Sequence, residues 1–146
     1  FHSLLQEYPT LSVMTSLMGV KEILPHQHCA LSAECLAPFR ETYQRALLFT
    51  DALTMEAAAY DPETGNYGRS LAERAVRALE AGNHVLVFGP ELTEATLTET
   101  RQVLLTLYQL DLAENPLRKQ VDEAVKRILE FKSRQQRYNN GREGGV

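Results

Sequence analysis

Three short apolar runs, 11–16, 46–50 and 84–88, are separated from one another by segments of helical periodicity. This alternation limits the possible folds more than any other property of the chain. Strands joined through helices lie parallel, because each crossover returns the chain to the same end of the sheet, and such crossovers are right-handed. The middle run, Ala46-Leu47-Leu48-Phe49-Thr50, is continuous enough to predict a strand buried on both faces. It ends on Asp51, followed by Ala52-Leu53-Thr54-Met55. In parallel α/β folds the chemistry gathers beyond the carboxyl ends of strands, and Asp51 stands in that place. A lone carboxylate there also suits a solvated loop or a helix N-cap.

The remaining elements follow from periodicity and punctuation. Leu11 to Ser16 forms the first strand, and a long loop through Gly19, Pro25, His26 and His28 leads to a helix capped by Ser32, with Glu34 in its first turn. Leu36, Phe39 and Tyr43 give that helix one inward face. The turn residues of 61–66 predict an exposed loop, and a helix over 70–81 ends at Gly82-Asn83. His84 to Phe88 is the third strand, closed by Gly89-Pro90. A helix over roughly 93–110 carries Leu97, Leu104, Leu105 and Tyr108 inward, and a last helix opens at Pro116 with a stripe of Val121, Ala124, Val125, Ile128 and Leu129. Residues 133–146 are polar and predict a flexible tail. Three parallel strands leave both sheet edges open. Either the chain is a small three-layer α/β domain or it is one arc of a larger closed barrel. A start at Phe1, without Met and inside a helical pattern, favours the arc.

A length of 146 residues with 44% hydrophobic content suits one globular domain. The net charge of -4 and the dispersed basic residues argue against a nucleic-acid surface. No apolar stretch approaches the roughly 20 residues of a membrane helix, and no signal-peptide pattern precedes the first strand, so a cytoplasmic location is expected. Cys29 and Cys35 are then expected as reduced thiols, with a short-loop bridge as the alternative.

A strand-end carboxylate suits a phospho-acceptor, a metal ligand or a glycosidase carboxylate. The phospho-acceptor needs further acids at the first strand end and a Lys at a later one, and Met14-Thr15-Ser16 and Phe88-Gly89-Pro90 supply neither. His26, His28, Cys29 and Cys35 offer soft ligands in a spacing that matches no familiar zinc pattern. No nucleophile elbow and no Gly-rich phosphate loop occurs. No metal or cofactor is expected.

Several segments taken in order resemble glycoside hydrolase family 3. Val13-Met14-Thr15-Ser16, Leu31-Ser32, Phe39-Arg40-Glu41, Thr50-Asp51-Ala52-Leu53-Thr54-Met55 and Ala78-Leu79-Glu80-Ala81-Gly82-Asn83 are similar to the family's V-M-T-A-H, L-S, L-R-E, S-D-A-L-x-M and A-L-x-A-G-x-D, at matching intervals. The helix beginning Val121-Asp122-Glu123-Ala124-Val125 looks like the one that closes the family's barrel domain. The resemblance covers residues 1–132. It implies that the chain is the last three strand–helix units of a (β/α)8 barrel with C-terminal helices. It further implies that Asp51 is the nucleophile of a retaining hydrolase acting on a terminal β-linked sugar, N-acetylglucosamine being one candidate. Met14 and Met55 match positions lining the sugar pocket, and core packing is their alternative role.

The departures carry weight. Leu17 stands where the family has a polar His or Tyr, Tyr43-Gln44-Arg45-Ala46 replaces Gly-Phe-Asp-Gly, and His84 replaces the acid of A-G-x-D. The family's acid/base and its Lys-His-Phe-Pro-Gly-His-Gly motif have no counterpart after Phe1, and nothing in the placement of His2, His26 or His28 recommends them as substitutes. Retention requires that second group. A non-catalytic relative that binds sugar or a protein is therefore the rival reading. In either case the open sheet is expected to be completed by the N-terminal half of a barrel or by self-association.

Overall fold

The computed structural model describes residues 2–8, 11–20, 24–61, 64–89, 93–112 and 116–143. In chain order its elements are α1 (His2–Glu7), β1 (Ser12–Thr15), β2 (Gly19–Val20), β3 (Leu24–His28), a 3-10 turn (Cys29–Leu31), α2 (Ala33–Thr42), β4 (Leu47–Ala52), α3 (Glu56–Ala59), β5 (Tyr60–Asp61), β6 (Asn66–Tyr67), α4 (Leu71–Glu80), β7 (Val85–Val87), α5 (Glu94–Leu112) and α6 (Leu117–Glu143). Pro90 and residues 62–63 and 144–146, which belong to the expected loops and tail, lie outside the described residues.

The central sheet is parallel, with order β1-β4-β7. Strand order follows chain order, so both crossovers step the same way, and crossovers of one hand then place their helices on one face. Burial follows that rule. Side chains alternate along a strand, and Leu48 and Thr50 on the covered face are 1% and 0% exposed. On the other face Leu47, Phe49 and Asp51 are only half-buried. Met14, paired with Phe49 in register, is 56% exposed. The middle strand is therefore buried on one face, not on both as its apolar run predicts. Among the described residues β1 and β7 each pair on one side only, so the sheet is open at both edges and no barrel closes.

Leu17, Leu31, Leu53, Leu71 and Val103 form the core, with Ala75 and Ala78 allowing α4 close approach. Ser70 and Glu73 cap α4 reciprocally: the Ser70 hydroxyl accepts from the Glu73 N–H, and the Glu73 carboxylate accepts from the Ser70 N–H. Asn83, 1% exposed, ties the layers together. Its Oδ1 accepts from Thr15 Oγ1 at 2.7 Å, and its Nδ2 donates to the carbonyls of Ala30 and Ala78 at 2.8 and 2.9 Å.

Several expectations are corrected. The loop after β1 holds an antiparallel pair, β2 with β3, and the loop of 61–66 is a second small hairpin, β5 with β6. Cys29 and Cys35 are joined in a disulfide, not reduced; the 3-10 turn and the first turn of α2 bring them together. Residues 133–143 continue α6 as helix, where Arg134, Gln135, Gln136 and Arg137 favour helix over an irregular tail. Arg134 Nη2 donates to the Arg45 carbonyl at 2.9 Å, and Arg127 Nη1 donates to that of Gln44. The stripes assigned to α5 and α6 are partly wrong: Leu104, Tyr108 and Leu129 are 62%, 61% and 60% exposed, whereas Val103 and Ala124 point inward. Both helices carry an apolar band wider than the surface they bury.

Candidate functional site at the carboxyl end of the sheet

The geometry around Asp51 begins with an irregularity in β4. Phe49 pairs with Val85 and Ala52 with Val87, so β4 spends one more residue than β7 between the two pairs. Thr50 Oγ1 accepts from the Val87 N–H at 2.9 Å, in the place of a ladder carbonyl, and the Leu53 N–H donates to the Val87 carbonyl at 2.8 Å. Bulges bend a strand and re-aim the side chain beside them. Here the side chain is Asp51, on the open face of the sheet.

The Asp51 carboxylate is half-buried, and its Oδ1 accepts from the Ala52 N–H at 2.8 Å. Met14 lies on the same face, its partner Phe49 being two residues before Asp51. Met55 follows in the turn that opens α3, its N–H donating to the Ala52 carbonyl at 3.0 Å, and its side chain is 45% exposed. Gly89, at φ 111°, closes the rim beside β4. A Cβ there would run into Thr54 Oγ1, so only glycine fits both the backbone angle and the contact. The structure thus brings Asp51, Met14, Met55 and Gly89 to the carboxyl ends of the strands.

Two arginines that the motifs do not include hold this rim. Arg74 Nη1 donates to the Leu53 carbonyl at 2.8 Å and its Nε to that of Arg69 at 2.9 Å. Arg69, 8% exposed, donates to the Tyr60 carbonyl and pairs with Asp61 at 2.6 Å. Cations flanking a helix N-terminus oppose its dipole, and this is the signal in the sequence that could have found them.

The His26 side chain lies outside the described residues, and among the described ones the soft-ligand cluster does not assemble. The disulfide removes both thiols from ligation. His28 packs edge-on against Tyr60, ring centroids 6.4 Å apart, with both ring nitrogens buried. Burial lowers its pKa, which the nearby carbonyls of Leu17 and Ala57 only partly offset. No three His, Cys, Asp or Glu side chains among the described residues are grouped to hold a metal ion, and no described helix is long and apolar enough to cross a membrane.

No protein-family model and no curated protein matches this chain. Among solved structures it is similar to the crystal structure of the beta-N-acetylhexosaminidase from Beutenbergia cavernae DSM 12333, with a TM-score of 0.63 and 21% sequence identity over 83% of this chain. The match spans 33% of the length of that protein. At this identity the likeness bears on the fold: the chain is an α/β structure with a small parallel sheet and helices, distantly related in architecture to part of a hexosaminidase.

Proposed function

We propose that this chain is the C-terminal arc of a family 3 glycoside hydrolase-like barrel and that Asp51 is its nucleophile. The observation that carries the reading is the placement of Asp51: a half-buried carboxylate on the open face of a one-sidedly covered parallel sheet, beside a register shift at the strand's carboxyl end. In such a barrel that face is the interior, and the two open sheet edges are where further strands add. Asp51 attacks the anomeric carbon of a terminal β-linked sugar, the leaving oxygen takes a proton from an acid elsewhere in the barrel, and water resolves the glycosyl-enzyme with net retention. Met14 and Met55 supply apolar walls for the sugar, which an N-acetylglucosamine would meet with its acetamide methyl.

The non-catalytic reading has one observation in its favour. Leu17, at the position where the family has a polar contact, is 4% exposed and belongs to the core. The two readings separate in one experiment on the full-length protein. A fluorinated, activated N-acetylglucosaminide is incubated with it, and the peptides are analysed by mass spectrometry alongside turnover of a chromogenic substrate. Label on Asp51, and turnover lowered by at least about a thousandfold in Asp51→Ala, is the expected result. Turnover that survives Asp51→Ala removes the assignment; sugar-dependent NMR shifts at Met14 and Met55 without any label or turnover favour the binding module.

A further inference from the structure

At the other end of the sheet, where β4 and β7 begin, the structure holds a cavity of about 330 Å³ lined by Arg40, Gly82, His84, Lys119, Gln120 and Glu123. A smaller cavity of about 80 Å³ beside it shares Arg40, His84 and Glu123 and adds Arg127. Three cations face one carboxylate in a chain whose net charge is -4. That carboxylate is already engaged, since Glu123 Oε1 accepts from Arg127 Nε at 2.9 Å. Arg40 and Lys119 have no ion-pair partner among the described residues. The Arg40 guanidinium lies directly on Gly82, in space that any Cβ would fill, so the glycine makes room for it.

The neutral donors are fixed by the backbone. His84 Nδ1 accepts from the Leu48 N–H at 2.9 Å, so the proton of the neutral ring sits on Nε2 and that nitrogen can only donate. Gln120 also lines the cavity, and its side-chain NH2 is a neutral donor that carries no charge. We propose that this cavity is an oxyanion site for a small phosphate-bearing ligand, with Arg40 and Lys119 supplying charge and His84 Nε2–H and the Gln120 amide supplying neutral donors. Guanidinium and ammonium groups beside neutral N–H donors fit the several acceptor oxygens of a phosphate better than the two of a carboxylate. The volume falls in the range of small-molecule sites, so it takes a phosphate together with part of the group that carries it. The field of the site agrees in sign: Arg127 and Arg40 both act against protonation of His84. This site is independent of Asp51 and of the reading given to the other rim.

The test is calorimetric titration of the chain with inorganic phosphate at fixed ionic strength, with chloride and acetate as comparison anions and thermal melts in parallel, since a ligand that binds only the folded state raises Tm. Saturable binding of phosphate in preference to acetate is expected. Arg40→Gln and Lys119→Gln, both at exposed positions where the fold survives, should each weaken binding about tenfold or more, the effect of one lost charge-assisted hydrogen bond. Arg101→Gln, an exposed arginine on α5 outside the cavity, should leave it unchanged. Phosphate that binds no better than acetate or chloride overturns the proposal. So does an Arg40→Gln, Lys119→Gln double variant that binds as the parent does, or an equal loss in Arg101→Gln.

Discussion

His84 fills a gap in the sheet with its side chain. Its own N–H donates to the Leu48 carbonyl at 2.9 Å, while its Nδ1 accepts from the Leu48 N–H at 2.9 Å. Burial, with Arg127 and Arg40 adding to it, lowers its pKa from 6.5 to about 4. Between those two values the unfolded chain carries a proton on this ring and the folded chain does not. The unfolded state therefore binds more protons there, and stability falls as pH drops through this window. At about 1.36 kcal/mol per pH unit, the loss between pH 7 and pH 4.5 is bounded by roughly 2.5 kcal/mol, and partial solvent access brings it to about 1.5–2 kcal/mol. His84→Asn keeps an acceptor where Nδ1 stands but does not titrate. Urea unfolding of both proteins at the two pH values, extrapolated to water, should show the parent losing about 1.5–2 kcal/mol more than the variant. Equal losses would refute the argument, because the acid sensitivity would then belong to other groups. His84→Asp, which restores the acid of the A-G-x-D pattern, should keep the Leu48 bond and gain from the two arginines at neutral pH.

Gly89→Ala should cost about 2–3 kcal/mol, since alanine would adopt φ 111° and its Cβ would meet Thr54 Oγ1; Thr54→Ala in the same chain should recover part of the loss in Tm, and no recovery would place the cost in the backbone alone. Replacing Cys29 and Cys35 with Ser should lower stability by about 2 kcal/mol, the loop-closure value for a bridge of sequence separation 6. Two reactive thiols in the native, unreduced chain would contradict the bridge.

The elements that bear the fold were legible because each rests on a local rule. The Ser32 cap, the helix start near Ser70, the Gly82 stop and the three apolar runs all correspond to elements within a residue or two of where the patterns end. What stayed hidden depends on partners far along the chain. Nothing near Val121 to Leu129 says that Ala124 faces inward while Val125 and Leu129 do not; that depends on where α4 lies. The two-residue strands β2 and β6 are too short for any periodicity to register. At the rim, the strand-end position of Asp51 follows from the apolar run before it. The bulge that aims it arises from Thr50 bonding to Val87, a pairing 37 residues away. Arg69 and Arg74 stand out in the sequence only as cations at a helix N-terminus, and that signal does not name the carbonyls of Leu53 and Tyr60 that they reach.

Asn83 has a consequence for how such a chain can change over generations. Its amide serves a hydroxyl in β1, a carbonyl in the 3-10 turn and a carbonyl at the end of α4. Leucine would fill the space but leave the Ala30 carbonyl without its donor, Thr15 with only the Phe49 carbonyl and Ala78 with only the backbone N–H of residue 83, and aspartate would keep an acceptor for Thr15 but no side-chain donor for the two carbonyls. Glutamine has the right head on a longer stem, in a position with 1% exposure and no room to fold it away. Substitution at 83 therefore requires simultaneous accommodation in three segments that lie far apart in the gene. The exposed surfaces of α5 and α6 carry no such demand. Divergence should accumulate on the helices and stall at this one amide, so that among distant descendants of the same fold the residue most resistant to drift stands outside every strand and helix.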